Sequence, residues 1–290
     1  MSTKSREEQA GAEILGIVEE QVRMGPRVPG TPAHDRLTAI LETRLREYTD
    51  EVLLQEFSVS FHGRTIPCAN VLGRFRSDPG SASTAVTLLG THYDTRPRAD
   101  RDPDPELRER AIPGANDGGS GTAVLLHLLP WLRESHLARD VVVAFFDAED
   151  LGNIDGKEFS LGARYCAANP PWGRAPNEVV VLDMVGGADM VLDIDAHILR
   201  YPASRDLTGR IFQIGMMHGW SAFARDKPDR FKYIISDHYP FVVEGIAACI
   251  LIDIDYPQWH TQADQPQALS AASLGVTEAV LSLFLSQPPA

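Results

Sequence analysis

Val141-Val-Val-Ala-Phe-Phe-Asp-Ala-Glu-Asp150 decides the fold: an unbroken apolar run followed at once by carboxylates. A short apolar run of this kind reads as a strand buried on both faces, the form found inside parallel sheets. Working outward, the same form returns three times. Ala85 to Gly90 ends at Thr91-His92-Tyr93-Asp94, and Glu178 to Leu182 ends at Asp183. Ala248 to Ile252 is followed by Trp259-His260-Thr261.

Between and around these strands the pattern is helical. Glu8 to Met24 predicts an opening helix stopped by Gly25-Pro26, and Thr31-Pro32 starts a second that runs to Tyr48. Leu53 to Phe61 and Thr65 to Phe75 alternate like a hairpin turning at His62-Gly63. Residues 77–83 read as a polar loop, 114–121 as a glycine-rich entry to a helix reaching Trp131, and 269–285 as a final helix. Strands alternating with helices predict a three-layer α/β/α fold with a mixed, mostly parallel central sheet. With no repeat and no linker, residues 1–290 read as one domain.

Composition narrows the function. A net charge of -13 gives no basic surface, so nucleic acid is not an expected partner. No segment is apolar for long enough to span a bilayer, and the polar start lacks the apolar stretch of a secretory signal. The chain as written is therefore expected in the cytoplasm, or in the periplasm or outside the cell if a signal was removed. Cys68, Cys166 and Cys249 are widely spaced in apolar surroundings and read as buried small hydrophobes.

The polar residues that matter follow strand ends, where open α/β sheets place ligands. Asp117, Asp150 and His260 offer the oxygen and nitrogen donors of a catalytic zinc site that keeps a position open. Asp117 sits in Gly114-Ala-Asn-Asp-Gly118, where glycines allow a sharp turn. Glu149, next to Asp150 and pointing the other way in extended chain, is placed to act as acid or base. His92 and Asp183 either hold a second metal or form a hydrogen-bond network behind Glu149, and Asp237 adds a further carboxylate. Each carboxylate alone would be read as a turn former or helix cap. Their shared position after apolar strands is the signal. The charged loop from Arg96 to Arg110 is expected to be solvated surface.

With these residues in view, the chain resembles the zinc aminopeptidase and glutaminyl cyclase superfamily. The matching stretches are Gly90-Thr-His-Tyr-Asp94, Asn116-Asp-Gly-Gly-Ser-Gly121, Phe146-Asp-Ala-Glu-Asp150, Leu182-Asp-Met-Val-Gly186, Ser236-Asp-His-Tyr-Pro-Phe241 and Trp259-His-Thr261. Gly25-Pro-Arg-Val-Pro-Gly30, the Glu149-Asp150 pair and Trp259 resemble the animal-type cyclases of bacteria. Phe159 stands where such enzymes carry tryptophan, a departure at one wall of the substrate pocket.

The resemblance implies an enzyme acting on peptide or protein amino termini. In the cyclase form, one zinc on Asp117, Asp150 and His260 serves as Lewis acid and Glu149 shuttles a proton, with Asp183 and Asp237 holding Glu149 by hydrogen bonds. Trp259 and Phe159 then wall the substrate, and ammonia leaves as amino-terminal glutamine closes to pyroglutamate. In the aminopeptidase form a second zinc sits on His92 and Asp183, with Asp117 bridging, and Glu149 activates water. Trp259 and the Asp150 position favour the cyclase. A catalytically inactive binding module on the same fold is a third reading, which the full set of ligand residues disfavours.

Overall fold

A computed structural model describes residues 3–79, 81, 83–224 and 229–289. Of the polar loop expected over 77–83, positions 80 and 82 lie outside the described residues. Six strands form the central sheet in the order β1-β2-β4-β3-β5-β8. They are β1 (Glu51–Phe61), β2 (Arg64–Phe75), β3 (Val86–His92), β4 (Asp140–Phe146), β5 (Glu178–Asp183) and β8 (Ala247–Ile252). The β1–β2 hairpin is antiparallel and joins β4 antiparallel. The remaining neighbours, β4-β3-β5-β8, are parallel.

The parallel strands are apolar because both faces are covered. Asn70 on β2 donates to the Gly162 carbonyl at the start of α4 (Leu161–Ala168). Gly73, an odd number of residues along and so on the other face, abuts Leu45 and Thr49 at the end of α2 (Pro32–Tyr48). α6 (Tyr239–Val243) packs with α4; α1 (Thr3–Arg23), α3 (Gly119–Glu134) and α7 (Ala271–Ser286) pack together, and α5 (Pro202–Met217) lies against α7 and β8. Fully buried Val141, Val143, Phe145, Val180 and Leu182 lie in one core cluster. Each contributes about 1.5–3 kcal/mol through burial.

Two features fell outside the sequence pattern. α4 between β4 and β5, and α5, α6 and the two-residue strands β6 (Ile194–Asp195) and β7 (Phe231–Lys232) between β5 and β8, fill intervals in which the sequence pattern predicts no elements. α1 and α7 also meet through glycine. A Cβ on Gly11 would lie 1.8 Å from the Ala271 carbonyl oxygen, and one on Gly275 would lie 2.1 Å from that of Glu7. From α1, Gln21 donates to the Gly119 carbonyl at 3.1 Å.

Parallel register brings the carboxyl ends of four strands to one edge, with His92 opposite Phe146 and Asp183 opposite Ile252. The loops leaving that edge carry the polar residues singled out above. Among the described residues no helix is long and apolar enough to cross a membrane.

Candidate metal centre

His92 and Asp183 are the last residues of β3 and β5, and Asp117 lies two residues before α3. Glu149 and Asp150 follow β4, and His260 lies beyond β8. Folding brings Asp117, Asp150 and His260 together, each offering one ligand atom within 4.8 Å of the others. His92, Asp117 and Asp183 form a second such group, so Asp117 belongs to both. His260 Nε2 is 3.2 Å from Asp150 Oδ1 and 3.5 Å from Asp117 Oδ2. His92 Nε2 is 3.2 Å from Asp117 Oδ1 and 3.5 Å from Asp183 Oδ1.

A surrounding set of groups fixes these side chains. Asp94 accepts the backbone N–H groups of Glu149 at 3.0 Å and Asp150 at 3.1 Å, which shapes the turn that presents both acids. Asp264 does the same for Asn116 and Asp117, at 2.8 and 3.1 Å, and also accepts from the Tyr256 hydroxyl. Buried Arg27 donates to the Pro113 and Gly114 carbonyls, bracing the same loop. Gly118 has φ +77°, and a Cβ there would lie 2.3 Å from the Asp94 carbonyl oxygen. Only glycine fits that approach.

Arg96 links two loops. Its Nη1 donates to Asp150 Oδ1 at 3.2 Å, and its Nε and Nη2 grip Asp100 at 2.9 and 2.5 Å. Asp100 in turn lies 3.4 Å from His260 Nδ1, the nitrogen facing away from the centre. A carboxylate behind a ligand imidazole fixes the ring's orientation and tautomer. Ser236 donates to Asp183 Oδ2 at 2.8 Å, turning the other oxygen inward.

The backbone around the centre is strained. Ala148, Ser160, Met184 and His260 all have positive φ, between 48° and 63°. Non-glycine residues rarely adopt this region, and they gather at sites where geometry is imposed.

Burial and mutual repulsion set the protonation states. Burial, with Asp237, Asp150 and Asp183 nearby, holds Glu149 well above the usual carboxylate range. Burial and the Asp117 charge push Asp150 up to about 6. Burial opposes charge on His260, but Asp150, Asp100 and Asp117 prevail and raise it to about 9. Burial and Asp117 push Asp264 up to about 7.

These side chains meet the donor chemistry of a divalent cation. Asp117 Oδ2, Asp150 Oδ2, Asp183 Oδ1 and His92 Nε2 are buried with no hydrogen-bond partner among the described residues. Buried polar atoms without partners are costly, and carboxylates gathered this closely repel. A cation shared among them removes both penalties, and oxygen and imidazole donors suit zinc.

The centre opens into a cleft of about 660 Å³. Trp259 and Phe159 both line it, as do Glu149, Asp183 and His260. The Trp259 indole lies 4.5 Å from the His260 imidazole, centroid to centroid. Phe159 lies against Gly152, where a Cβ would strike the ring at 2.1 Å.

Residues 70–285 match the profile of Peptidase family M28. The chain belongs to that family. No curated protein sequence matches it. Among solved structures, the chain is similar to a Zn-dependent exopeptidase from Parabacteroides distasonis, with 26% identity, TM-score 0.85, and 96% of this chain and 98% of that one covered. It is similar to Porphyromonas gingivalis glutaminyl cyclase, with 27% identity, TM-score 0.84, and coverage of 95% and 97%. It is also similar to a leucine aminopeptidase precursor from Bacteroides thetaiotaomicron, with 25% identity, TM-score 0.85, and coverage of 95% and 96%.

Within this M28 chain two sequence expectations need correction. Glu149 and Asp150 do not diverge because the chain is extended there. Ala148 has φ 55°, and the turn hangs on Asp94. The Ser160 hydroxyl donates to Glu149 Oε1 at 3.1 Å, a partner that the sequence pattern does not single out. Asp237 is fully buried, and neither of its oxygens has a hydrogen-bond partner among the described residues. Burial, with Asp183 and Asp94 nearby, raises its carboxyl well above the usual range. The loop from Arg96 is not simply solvated, since Arg96 and Asp102 are buried and Asp102 Oδ2 accepts the Gln262 amide.

Sequence reasoning also missed Asp94, Arg96, Asp100, Ser160 and Asp264. For two of them a signal existed. Asp94 stands two residues after His92 at a strand end, and Asp264 stands four after His260.

Proposed function

We propose that this protein is a zinc-dependent glutaminyl-peptide cyclotransferase, which closes an amino-terminal glutamine of a peptide or protein to pyroglutamate and releases ammonia. The observation that carries this reading is Trp259. A flat indole packed beside His260 gives the cleft a narrow apolar wall suited to one glutamine side chain. The similarity to glutaminyl cyclases over nearly the whole chain supports it.

Asp117, Asp150 and His260 would hold the zinc. When bound, zinc supplies Lewis-acid polarisation of the γ-carbonyl and stabilises charge on its oxygen. Glu149 takes a proton from the substrate α-amine as that nitrogen bonds to the carbonyl carbon of the γ-carboxamide. It returns the proton to the amide nitrogen as the old C–N bond breaks, so ammonia leaves neutral. Ser160 holds the Glu149 carboxylate in place, and the raised affinity of Glu149 for protons suits a shuttle working near neutrality.

A second reading rests on the group His92, Asp117 and Asp183. If zinc filled it as well, the protein would be a two-zinc aminopeptidase, with Asp117 in both ligand sets. Supplying an amino-terminal glutamine peptide and a leucyl anilide while counting zinc per chain separates the two. Ammonia with one zinc is expected; anilide cleavage with two overturns the cyclase reading. Glu149→Gln is expected to lose at least about 100-fold in rate with zinc retained.

A further inference from the structure

Six charged residues line the cleft outside the central cluster: Arg101, Lys157, Glu158, Arg164, Lys232 and Asp255. Four of these form pairs, Arg164 with Glu158 at 3.6 Å and Lys232 with Asp255 at 2.8 Å. No carboxylate among the described residues pairs with Arg101 or Lys157. On a chain of net charge -13, two uncompensated cations at one opening stand out.

Arg101 is also held. Its guanidinium carbon lies 3.8 Å from the centroid of the Trp259 ring, and its backbone N–H donates to the His260 carbonyl at 3.2 Å. An ordinary surface arginine waves in solvent, whereas this one is stacked on the wall beside the metal centre. Lys157 belongs to the segment between β4 and α4 that also carries Phe159. The cations therefore come from two different loops around one opening.

We infer that the protein selects peptides with an acidic side chain at the second residue, read by Arg101 and Lys157. This rests on the proposed action at amino termini. The amino-terminal residue occupies the space beside Trp259, so the following residues leave past the rim where these cations stand. The overall negative charge repels acidic peptides at long range, and the two cations create a local exception.

The test uses three peptides identical but for the second residue: Gln-Glu, Gln-Ala and Gln-Lys at the amino end. Binding is measured by calorimetry on the zinc-loaded Glu149→Gln protein, and ammonia release on the unaltered one. Expected affinities fall in the order Glu, Ala, Lys, with about five-fold between the extremes at low salt, shrinking in 0.5 M salt. Lys157→Glu is expected to reverse the order and Arg101→Gln to flatten it, which a merely structural role would not do. Equal binding of all three peptides, or none, overturns the inference. Absence of ammonia with the binding order intact overturns the cyclase reading alone.

Discussion

Arg96 reaches Asp150 twice, through the side-chain oxygen at 3.2 Å and the backbone carbonyl at 3.1 Å. The same guanidinium holds Asp100 behind His260, so one buried cation sets two of the three proposed zinc ligands. Arg96→Ala is expected to weaken zinc binding by about 10–100-fold. Lysine cannot reproduce the planar fork, so Arg96→Lys should recover little of that loss. Competition against a chromogenic chelator measures both, and unchanged affinity in the alanine variant would show that the ligands hold themselves.

Gly118→Ala tests the Asp117 turn. The substitution forces a left-handed alanine, at about 1–2 kcal/mol, and adds a clash with the Asp94 carbonyl. Gly219 has φ +71° with nothing within 4 Å of a Cβ, so Gly219→Ala incurs only the first cost. Both variants should melt earlier, but only Gly118→Ala should lose zinc affinity. Equal zinc titrations for the two would count against the turn as a ligand-positioning device.

His127 offers a pH test away from the centre. Its ring nitrogens face Glu278 at 2.5 Å and Glu13 at 3.0 Å, tying α3 to α7 and α1. The Glu278 contact, followed by Glu13, lifts the imidazole from 6.5 to about 9. A raised folded pKa means stability fully present below pH 6.5 and lost as pH rises through 9. Allowing for solvent screening of this half-buried group, the loss is about 1 kcal/mol. Thermal melts of the unaltered protein and His127→Gln should differ at pH 6 and converge by pH 9.5. Parallel melting curves across that range would remove the ion pair from the stability account.

The sequence displayed those parts of this architecture that local chemistry controls. Strands β3, β4, β5 and β8 announced themselves because both faces are buried, and the residues at or after their ends pointed to Asp117, Asp150 and His260. What stayed hidden depends on partners far along the chain. Arg96 in a charged run looks solvated, and only the packed fold shows it buried against Asp150. Ser160 is one polar residue among many until the turn at Ala148 brings Glu149 to its hydroxyl. The stretch from β5 to β8 mixes short elements, and α5 carries a weak helical pattern because its apolar positions are diluted by polar and glycine residues.

The glycine contacts between α1 and α7 have a bearing on the cation loop. Backbones pressed together at Gly11 and Gly275 cannot slide, so α1 keeps one axial setting. Gln21 then anchors the first residue of α3 to that setting, two positions beyond Asp117. A bulkier residue in this outer seam would act as a wedge, and its displacement would travel along a rigid rod into the ligand sphere. Screens for weakened metal binding should therefore recover lesions there, remote from any atom that meets substrate.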